Sequence, residues 1–464
     1  MFHFCEKYQG KDGDRLGRKL AAVLTACALV LFGGCSIGDV ETLLRAPRPT
    51  GDQQEIQQAL DAYISRQGGS KEYILKYPQD GEYLSAFVME DIDGDEEEEA
   101  IAFYQFSGEG ERTHINLLDK VDDEWKSMSD IEGFSTDISG VMFGDLDADG
   151  VQELLAGWSV YNSRDRRLAV YSLAEGRITV RSDDQYYTHV VVDDFVVEGR
   201  DDLLLFQTDS TQNISTVRLQ TLRTDGLHEQ GRTRIDGYIR SFGEYHVGLL
   251  AEDLYGVYID CYKDADTTIT ELIYWDGSQL HAPFYNSADN ITTLTARQAS
   301  IPSMDVDGTG GRDSQIEWPY CTRLPGYETA SAAESMWLTQ WMFWNYDTQK
   351  EQRLFASIVN MTDSYYLLIP DTWLNAENNA WNGTVTATYD SSQHKLQIHP
   401  YSNGQAGEAF LTVRVGTDEE LDEAAGEPLE IVDAQGNRVR YQVEYDAETY
   451  DLDMERVQYI IRPL

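Results

Sequence analysis

Two segments of this chain, "EDIDGDEEEEAIAFY" at 90–104 and "GDLDADGVQELLAGW" at 144–158, share one design. Aspartates stand at alternate positions and a glutamate closes the loop before an apolar run: Asp91, Asp93, Asp95 and Glu99 in the first, Asp145, Asp147, Asp149 and Glu153 in the second. A third copy, "MDVDGTGGRDSQIEW", keeps Asp305 and Asp307, has Thr309 at the third position, and closes with Asp313 or, after an insertion, Glu317. Two worn copies fill the gap. "VVVDDFVVEGRDDLLLF" keeps Asp194, Glu198 and Asp202, and "GLLAEDLYGVYIDCY" keeps Asp253.

The leading acids, Asp91, Asp145, Asp194, Asp253 and Asp305, are separated by 54, 49, 59 and 52 residues. A near-constant step of roughly fifty residues is the period of propeller blades. A second signal repeats in phase, a strand-like run broken by a polar turn, as in "INLLDKVDDEW", "VRLQTLRTDGLHEQG" and "WMFWNYDTQKEQ". Each unit then reads strand, acidic loop, strand, connection, strand, turn, strand. The fold class expected is mainly β, a β-propeller of four-stranded blades with at least five recognisable, spanning 76–351.

Alternation turns every second side chain toward one point. Calcium takes six to eight oxygen ligands at about 2.3–2.6 Å, and carboxylates at positions 1, 3, 5 and 9 of a tight loop suit it. Gly94 and Gly150 relieve the bend. The candidate metal ligands are therefore Asp91, Asp93, Asp95, Glu99, Asp145, Asp147, Asp149, Glu153, Asp305, Asp307 and Thr309, with calcium as the ion. Without a cation these acids would repel one another strongly. An EF-hand also begins D-x-D-x-D-G, but it needs a glutamate at position 12, where these loops have Ala102, Ala156 and Ile316, and its flanks are helical.

The pattern of apolar strand, "GDLDADGVQEL" and second apolar strand resembles the FG-GAP or VCBS-type repeat of integrin alpha-subunit heads and many exported bacterial proteins. The resemblance covers more than half the chain and implies a propeller with calcium-bound loops at the first, second and fifth units. The third and fourth units depart from it.

The N-terminus reads as an address. Arg15, Arg18 and Lys19 precede "LAAVLTACALVLFGGC", an apolar run too short to span a bilayer comfortably and ordered like a secretory signal. Its closing "LFGGC" resembles a bacterial lipobox, with Phe32 where that family favours leucine; the resemblance implies cleavage before Cys35 and lipidation of its thiol. Residues 1–35 are the expected signal and 36–75 a tether with one short amphipathic helix in "GDQQEIQQALDAYISRQGG". The expected location is the extracytoplasmic face of the cell membrane. Cys261 and Cys321 remain in the body, and their spacing leaves a bridge between them open.

From 352 to 464 the repeat signal stops, and strand-like runs with a short helical stretch suggest a small α+β domain. The alternative is one or two degenerate blades, since a further step of 54 from Asp305 lands in "VNMTDSYYLLIP".

A formal charge of −45, from 36 basic and 81 acidic residues, repels nucleic acid, so no nucleic-acid partner is expected. The chain has no HExxH, GxSxG or phosphate-binding glycine loop, and no enzymatic role is assigned. His394 and His399 sit at an odd spacing that points them to opposite faces of a strand. The expected function is a lipid-anchored surface scaffold binding a protein or carbohydrate partner. The alternative is an exported carbohydrate-active enzyme on the same propeller.

Overall fold

The computed structural model describes residues 51–67, 72–108, 110–308, 310, 313–375, 382–383, 385–433, 436–448 and 452–464. The signal expected at 1–35, with Cys35, the first part of the expected tether and the loop residue Thr309 lie outside the described residues.

Helix α1 (Gly51–Arg66) forms where the spacing of Ile56, Leu60 and Ile64 places one apolar stripe along a helix, with Asp52 in its first turn and Arg66 in its last, matching the helix dipole. That stripe is buried against blade 1, on Phe87, Tyr104, Leu118 and Trp125.

In blade 1, β1 (Tyr73–Leu75) and β2 (Phe87–Glu90) lie end to end along one edge of β3 (Glu99–Phe106), followed by β4 (Thr113–Val121) and β5 (Glu124–Glu132). Blade 2 runs β6 (Ile138–Gly144), β7 (Glu153–Ser159), β8 (Arg166–Ser172) and β9 (Thr179–Tyr187). Blade 3 runs β10 (His189–Val197), β11 (Arg200–Asp209), β12 (Ile214–Arg223) and β13 (Gly226–Ile235). Blade 4 runs β14 (Ser241–Ala251), β15 (Leu254–Tyr262), β16 (Thr268–Trp275) and β17 (Leu280–His281), and a small hairpin of β18 (Tyr285–Asn286) and β19 (Ile291–Thr292) follows it. In blade 5 the first strand shrinks to a bridge between Met304 and Glu317, beside β20 (Trp318–Arg323), β21 (Trp337–Asn345), β22 (Lys350–Asn360) and β23 (Tyr365–Leu368).

The second strand of blades 1 to 4 explains the continuous apolar runs seen in the sequence, because it is covered on both faces. Residues of β3 alternate between two cores: Ala100, Ala102 and Tyr104 face α1, whereas Ile101 and Phe103 face blade 2. The same period of two sends Leu155 of β7 toward blade 3 and Leu154 and Trp158 toward blade 1. Leu203 and Leu205 of β11 face blade 2, and Leu204 and Phe206 face blade 4. In β15, Val257 and Ile259 face blade 3, and Tyr258 faces Trp318 and Trp344 of blade 5. Each sheet therefore packs on its neighbours in sequence, which is the packing of a β-propeller.

Beyond blade 5, β24 (Leu374–Asn375) pairs with β25 (Asn382–Gly383), and a further sheet contains β26 (Val385–Asp390), β27 (Lys395–Ser402), β28 (Gln405–Ala406), β29 (Leu411–Arg414), β30 (Glu427–Val432) and β31 (Arg438–Tyr445). Its inner face, with Val385, Ile398, Val413 and Tyr441, packs on Ile358 and Leu367 of blade 5. Helices α2 (Asp418–Glu423), capped by Thr417, and α3 (Met454–Ile460), capped by Asp453, make this part α+β.

The boundary expected at 351 falls inside β22. That strand pairs with β21 on one side and β23 on the other, and the C-terminal β32 (Ile461–Pro463) returns to pair with β23, so the fifth sheet extends through Leu368. The acidic loop marks only the start of a blade, so its outer strands carry no repeat signal of their own. Cys261 and Cys321 are free thiols. His394 meets Asp363 and His399 meets Thr388, so the two do not converge.

Candidate metal centres in the acidic loops

The loop between β2 and β3 is built by its first acid. Asp91 accepts the Gly94 N–H on Oδ1 at 2.9 Å and the Glu96 N–H on Oδ2 at 3.1 Å, which folds the chain over the carboxylate. Gly94 and Glu96 both take positive φ there, 76° and 71°. The closing Glu99 is buried at 8 % exposure and accepts the Ile92 N–H at 2.9 Å.

The loop between β6 and β7 repeats this. Asp145 accepts the N–H groups of Asp149 (3.2 Å) and Gly150 (3.0 Å), and Glu153, 1 % exposed, accepts the Leu146 N–H at 3.0 Å.

In each loop three carboxylates converge: Asp91, Asp93 and Glu99, and Asp145, Asp147 and Glu153, each set with an oxygen apiece mutually within 4.8 Å. Asp95 and Asp149 do not join them. Each turns back on its own chain and accepts the N–H two residues on, from Glu97 at 2.8 Å and Val151 at 2.9 Å.

Crowding of like charge in a covered site disfavours ionisation. Burial and then Asp147 push the Glu153 carboxyl up to about 7, against the Leu146 N–H and Arg181. Burial does the same to Glu99, up to about 7, with the Ile92 N–H opposing and Asp93 adding. Asp93 is raised by burial and by Asp95.

The two sites differ in what balances them. Arg181, on β9, places Nη1 at 3.0 Å from Asp147 Oδ2 and 3.9 Å from Glu153 Oε1. Among the described residues no cationic side chain pairs with Asp91, Asp93 or Glu99. Asp147 Oδ1 is buried and has no hydrogen-bond partner. An orphaned buried carboxylate oxygen beside two further carboxylates fits a hard divalent cation with oxygen ligands.

The other loops show which parts of the design are retained without a trio. Asp194 still accepts Gly199 N–H at 2.7 Å, and Asp202, 2 % exposed, is satisfied by the Val196 N–H at 2.6 Å and by Arg200 at 3.0 Å. Asp305 accepts the N–H groups of Gly308 (3.0 Å) and Gly310 (2.7 Å). Glu317 closes that loop by accepting the Val306 N–H at 3.1 Å, while Asp313 is engaged by the Tyr255 hydroxyl at 3.0 Å. Among the described residues, Asp305 and Asp307 are not part of a three-carboxylate group. At Asp253 the loop has contracted to a tight hairpin turn between Ala251 and Leu254.

Cross-blade hydrogen bonds hold the loops in place. The N–H just before the closing acid reaches the preceding blade's loop, from Gln152 to Ile92 O at 2.8 Å and from Asp201 to Asp145 O at 3.0 Å. Asp201 also accepts the Asp145 N–H at 2.9 Å. Arg181 and Asp201 were not readable as site residues, because each lies far along the chain from the loop it serves.

No protein-family model and no curated protein matches the chain. Among solved structures it is similar to Saccharomyces cerevisiae Sqt1, at 10% identity over 81% of this chain and 98% of that one, with a TM-score of 0.32. The Dos1 propeller is similar at 9% identity over 80% and 89%, TM-score 0.28, and Bacillus licheniformis rhamnogalacturonan lyase PL11 at 8% over 79% and 91%, TM-score 0.26. Likeness at this level carries no argument about function, and the propeller assignment rests on the order and packing of the sheets.

Proposed function

We propose that this chain is an exported, lipid-anchored scaffold of the cell surface, with FG-GAP/VCBS-type acidic loops that hold calcium in blades 1 and 2 and a propeller surface that binds a protein or carbohydrate partner. The observation that carries the calcium reading is the convergence of Asp91, Asp93 and Glu99, and of Asp145, Asp147 and Glu153, with Asp147 Oδ1 left unpartnered in the second. Those residues would hold the ion, and bound there it supplies the positive charge that offsets their repulsion. Asp91 and Asp145 also shape the loop, through two backbone N–H groups each. A stiffened loop in turn steadies the next blade through the Gln152 and Asp201 hydrogen bonds. Export and anchoring are supported by the basic stretch, apolar run and Cys35 of the N-terminus. Binding is preferred to catalysis because Asp91, Glu99, Asp145 and Glu153 accept N–H groups of their own loops, which commits them to shaping the loop.

Thermal unfolding with calcium titrated against chelator tests this. A ligand that binds only the native state raises the midpoint as its concentration rises. The expected result is a calcium-dependent rise that an Asp145→Ala, Asp147→Ala double variant loses in large part. A midpoint indifferent to calcium would refute the reading.

A further inference from the structure

We propose that a cleft on the propeller face opposite the acidic loops binds a carboxylate-bearing saccharide, an inference that deepens the scaffold reading above and rests on it. Successive strands of a blade run antiparallel, so first-to-second loops and third-to-fourth turns leave one end of the sheets. Second-to-third loops and the crossings to the next blade leave the other end. A cavity of about 700 Å³ opens among the latter, between the β7–β8 loop, the β11–β12 loop and the crossings at Thr188–His189 and Ile239–Phe242.

Its chemistry runs against the rest of the molecule. The chain carries a formal −45, yet Arg164, Arg166 and Arg240 line this cleft, with Asp80 and Asp165 as the acids among the lining residues. Asp80 is already committed to Arg166, at 3.0 Å. Arg164 and Arg240 are exposed, and among the described residues neither side chain has a hydrogen-bond or ion-pair partner. A guanidinium presents a planar fork of N–H donors that matches a carboxylate with two parallel hydrogen bonds.

A second observation points to a ligand rather than to a charged surface alone. His189 lines the cleft with its ring stacked on Phe242, centroids 4.8 Å apart, and its Nε2 is buried without a hydrogen-bond partner. Burial pushes its imidazole down to about 4, with Arg166 adding to the effect and Asp80 opposing it, so the ring is neutral at pH 7. A buried nitrogen of this kind is costly unless something outside the chain completes it.

The remaining wall selects the kind of anion. Ser159, Ser210 and Ser241 bring hydroxyls to the cleft, and an adjoining groove of about 580 Å³ shares Arg164, Asp165 and Thr208 and adds Gln207, Gln212 and Asp209, the last with Oδ1 held by the Thr211 and Gln212 N–H groups. Tyr161 is not itself in the lining; it stands between the lining residues Val160 and Asn162 of the loop that carries Arg164, and is 93 % exposed. It offers an open aromatic face to the apolar side of a sugar ring, with its hydroxyl free to face water. A free phosphate could accept from the guanidinium groups and the nearer hydroxyls, but it has no apolar ring face to set on an aromatic side chain and is too small to reach along both cavities. Hydroxyls, amides and an aromatic face are matched together by a polyhydroxylated ligand that also carries carboxylate.

Calorimetric titration of the purified protein with a cello-oligosaccharide and with its C6-oxidised glucuronate counterpart, beside sodium phosphate, tests the assignment. The glucuronate oligomer should bind at least about tenfold more tightly than either the neutral oligomer or phosphate. An Arg164→Ala, Arg240→Ala double variant should lose at least about tenfold of that affinity with an unchanged unfolding midpoint, since both side chains are solvent-exposed. Tyr161→Ala should weaken both saccharides and leave phosphate unmoved. Equal binding of acidic and neutral oligomers, phosphate binding as tight as the glucuronate oligomer, no binding of the oligomer, or affinity untouched in the double variant would each overturn the proposal. A protein whose unfolding responds to calcium but which fails these titrations loses the cleft alone; one indifferent to calcium loses the scaffold reading in its calcium part.

Discussion

Replacing Glu271 with glutamine is expected to flatten the dependence of stability on pH. Glu271 lies on β16 with no exposed surface. Its Oε1 accepts the Asp236 N–H at 3.0 Å and the Thr292 hydroxyl at 2.7 Å, while Oε2 is buried without a partner. Burial pushes the carboxyl up to about 7 from an ordinary 4.5, against the Thr292 and Asp236 hydrogen bonds. A folded-state pKa above the unfolded one means that the native state holds the proton more tightly. The stabilisation is therefore complete below about pH 4.5 and is lost as pH rises through about 7. The gap between the two values corresponds to about 3 kcal/mol above neutrality. Glutamine keeps the acceptor for both donors and cannot ionise. Urea unfolding at about pH 5.5 and about pH 8, in calcium so that Glu99 and Glu153 are held alike, should show the parent losing about 2 kcal/mol more than the variant across that interval. Glu317, also raised by burial to about 7, is common to both proteins and cancels in the comparison. Parallel pH profiles for parent and variant would refute the reasoning.

Arg181→Met should lower the unfolding midpoint in chelator and enlarge the rise that calcium produces, because Asp147 and Glu153 lose the guanidinium beside them; scanning fluorimetry with and without calcium reads both numbers. Leu60→Ala, at a wholly buried position of α1, should cost about 3 kcal/mol in urea unfolding, since the helix is the cover of one blade 1 face. The same variant should bind a hydrophobic dye more strongly than the parent if that cover is loosened.

Most of the fold was legible because the repeat marker sits at a fixed place in each blade. The acidic loop always joins the first strand to the second, so spacing the leading acids spaced the blades. The shared role of the first acid, which holds two backbone N–H groups at Asp91, Asp145 and Asp305, survives even where the ligand set is incomplete. The closing acid of the fifth unit was legible only as a choice between Asp313 and Glu317, because an insertion shifts the register and geometry decides in favour of Glu317. Asp95 and Asp149 satisfy the alternation of the motif but serve a local turn, a distinction that spacing does not carry. Arg181 reaches its loop from the far strand of the same blade, and the cleft at His189 is assembled from loops and crossings of several blades. Such convergence is set by how strands and loops distant in sequence come together in and between sheets, and no periodic pattern records it. The continuation of blade 5 past 351 was hidden for the same reason, since edge-to-edge pairing of β22, β23 and β32 joins segments with no common motif.

The most direct test of the central claim is a count of calcium ions by equilibrium dialysis of the purified protein, repeated for Asp93→Ala and Asp147→Ala. Two saturable ions per chain are predicted, with each variant losing one. A parent protein that binds none, or variants that keep the parent stoichiometry and affinity, would contradict the assignment of calcium to the acidic loops of blades 1 and 2.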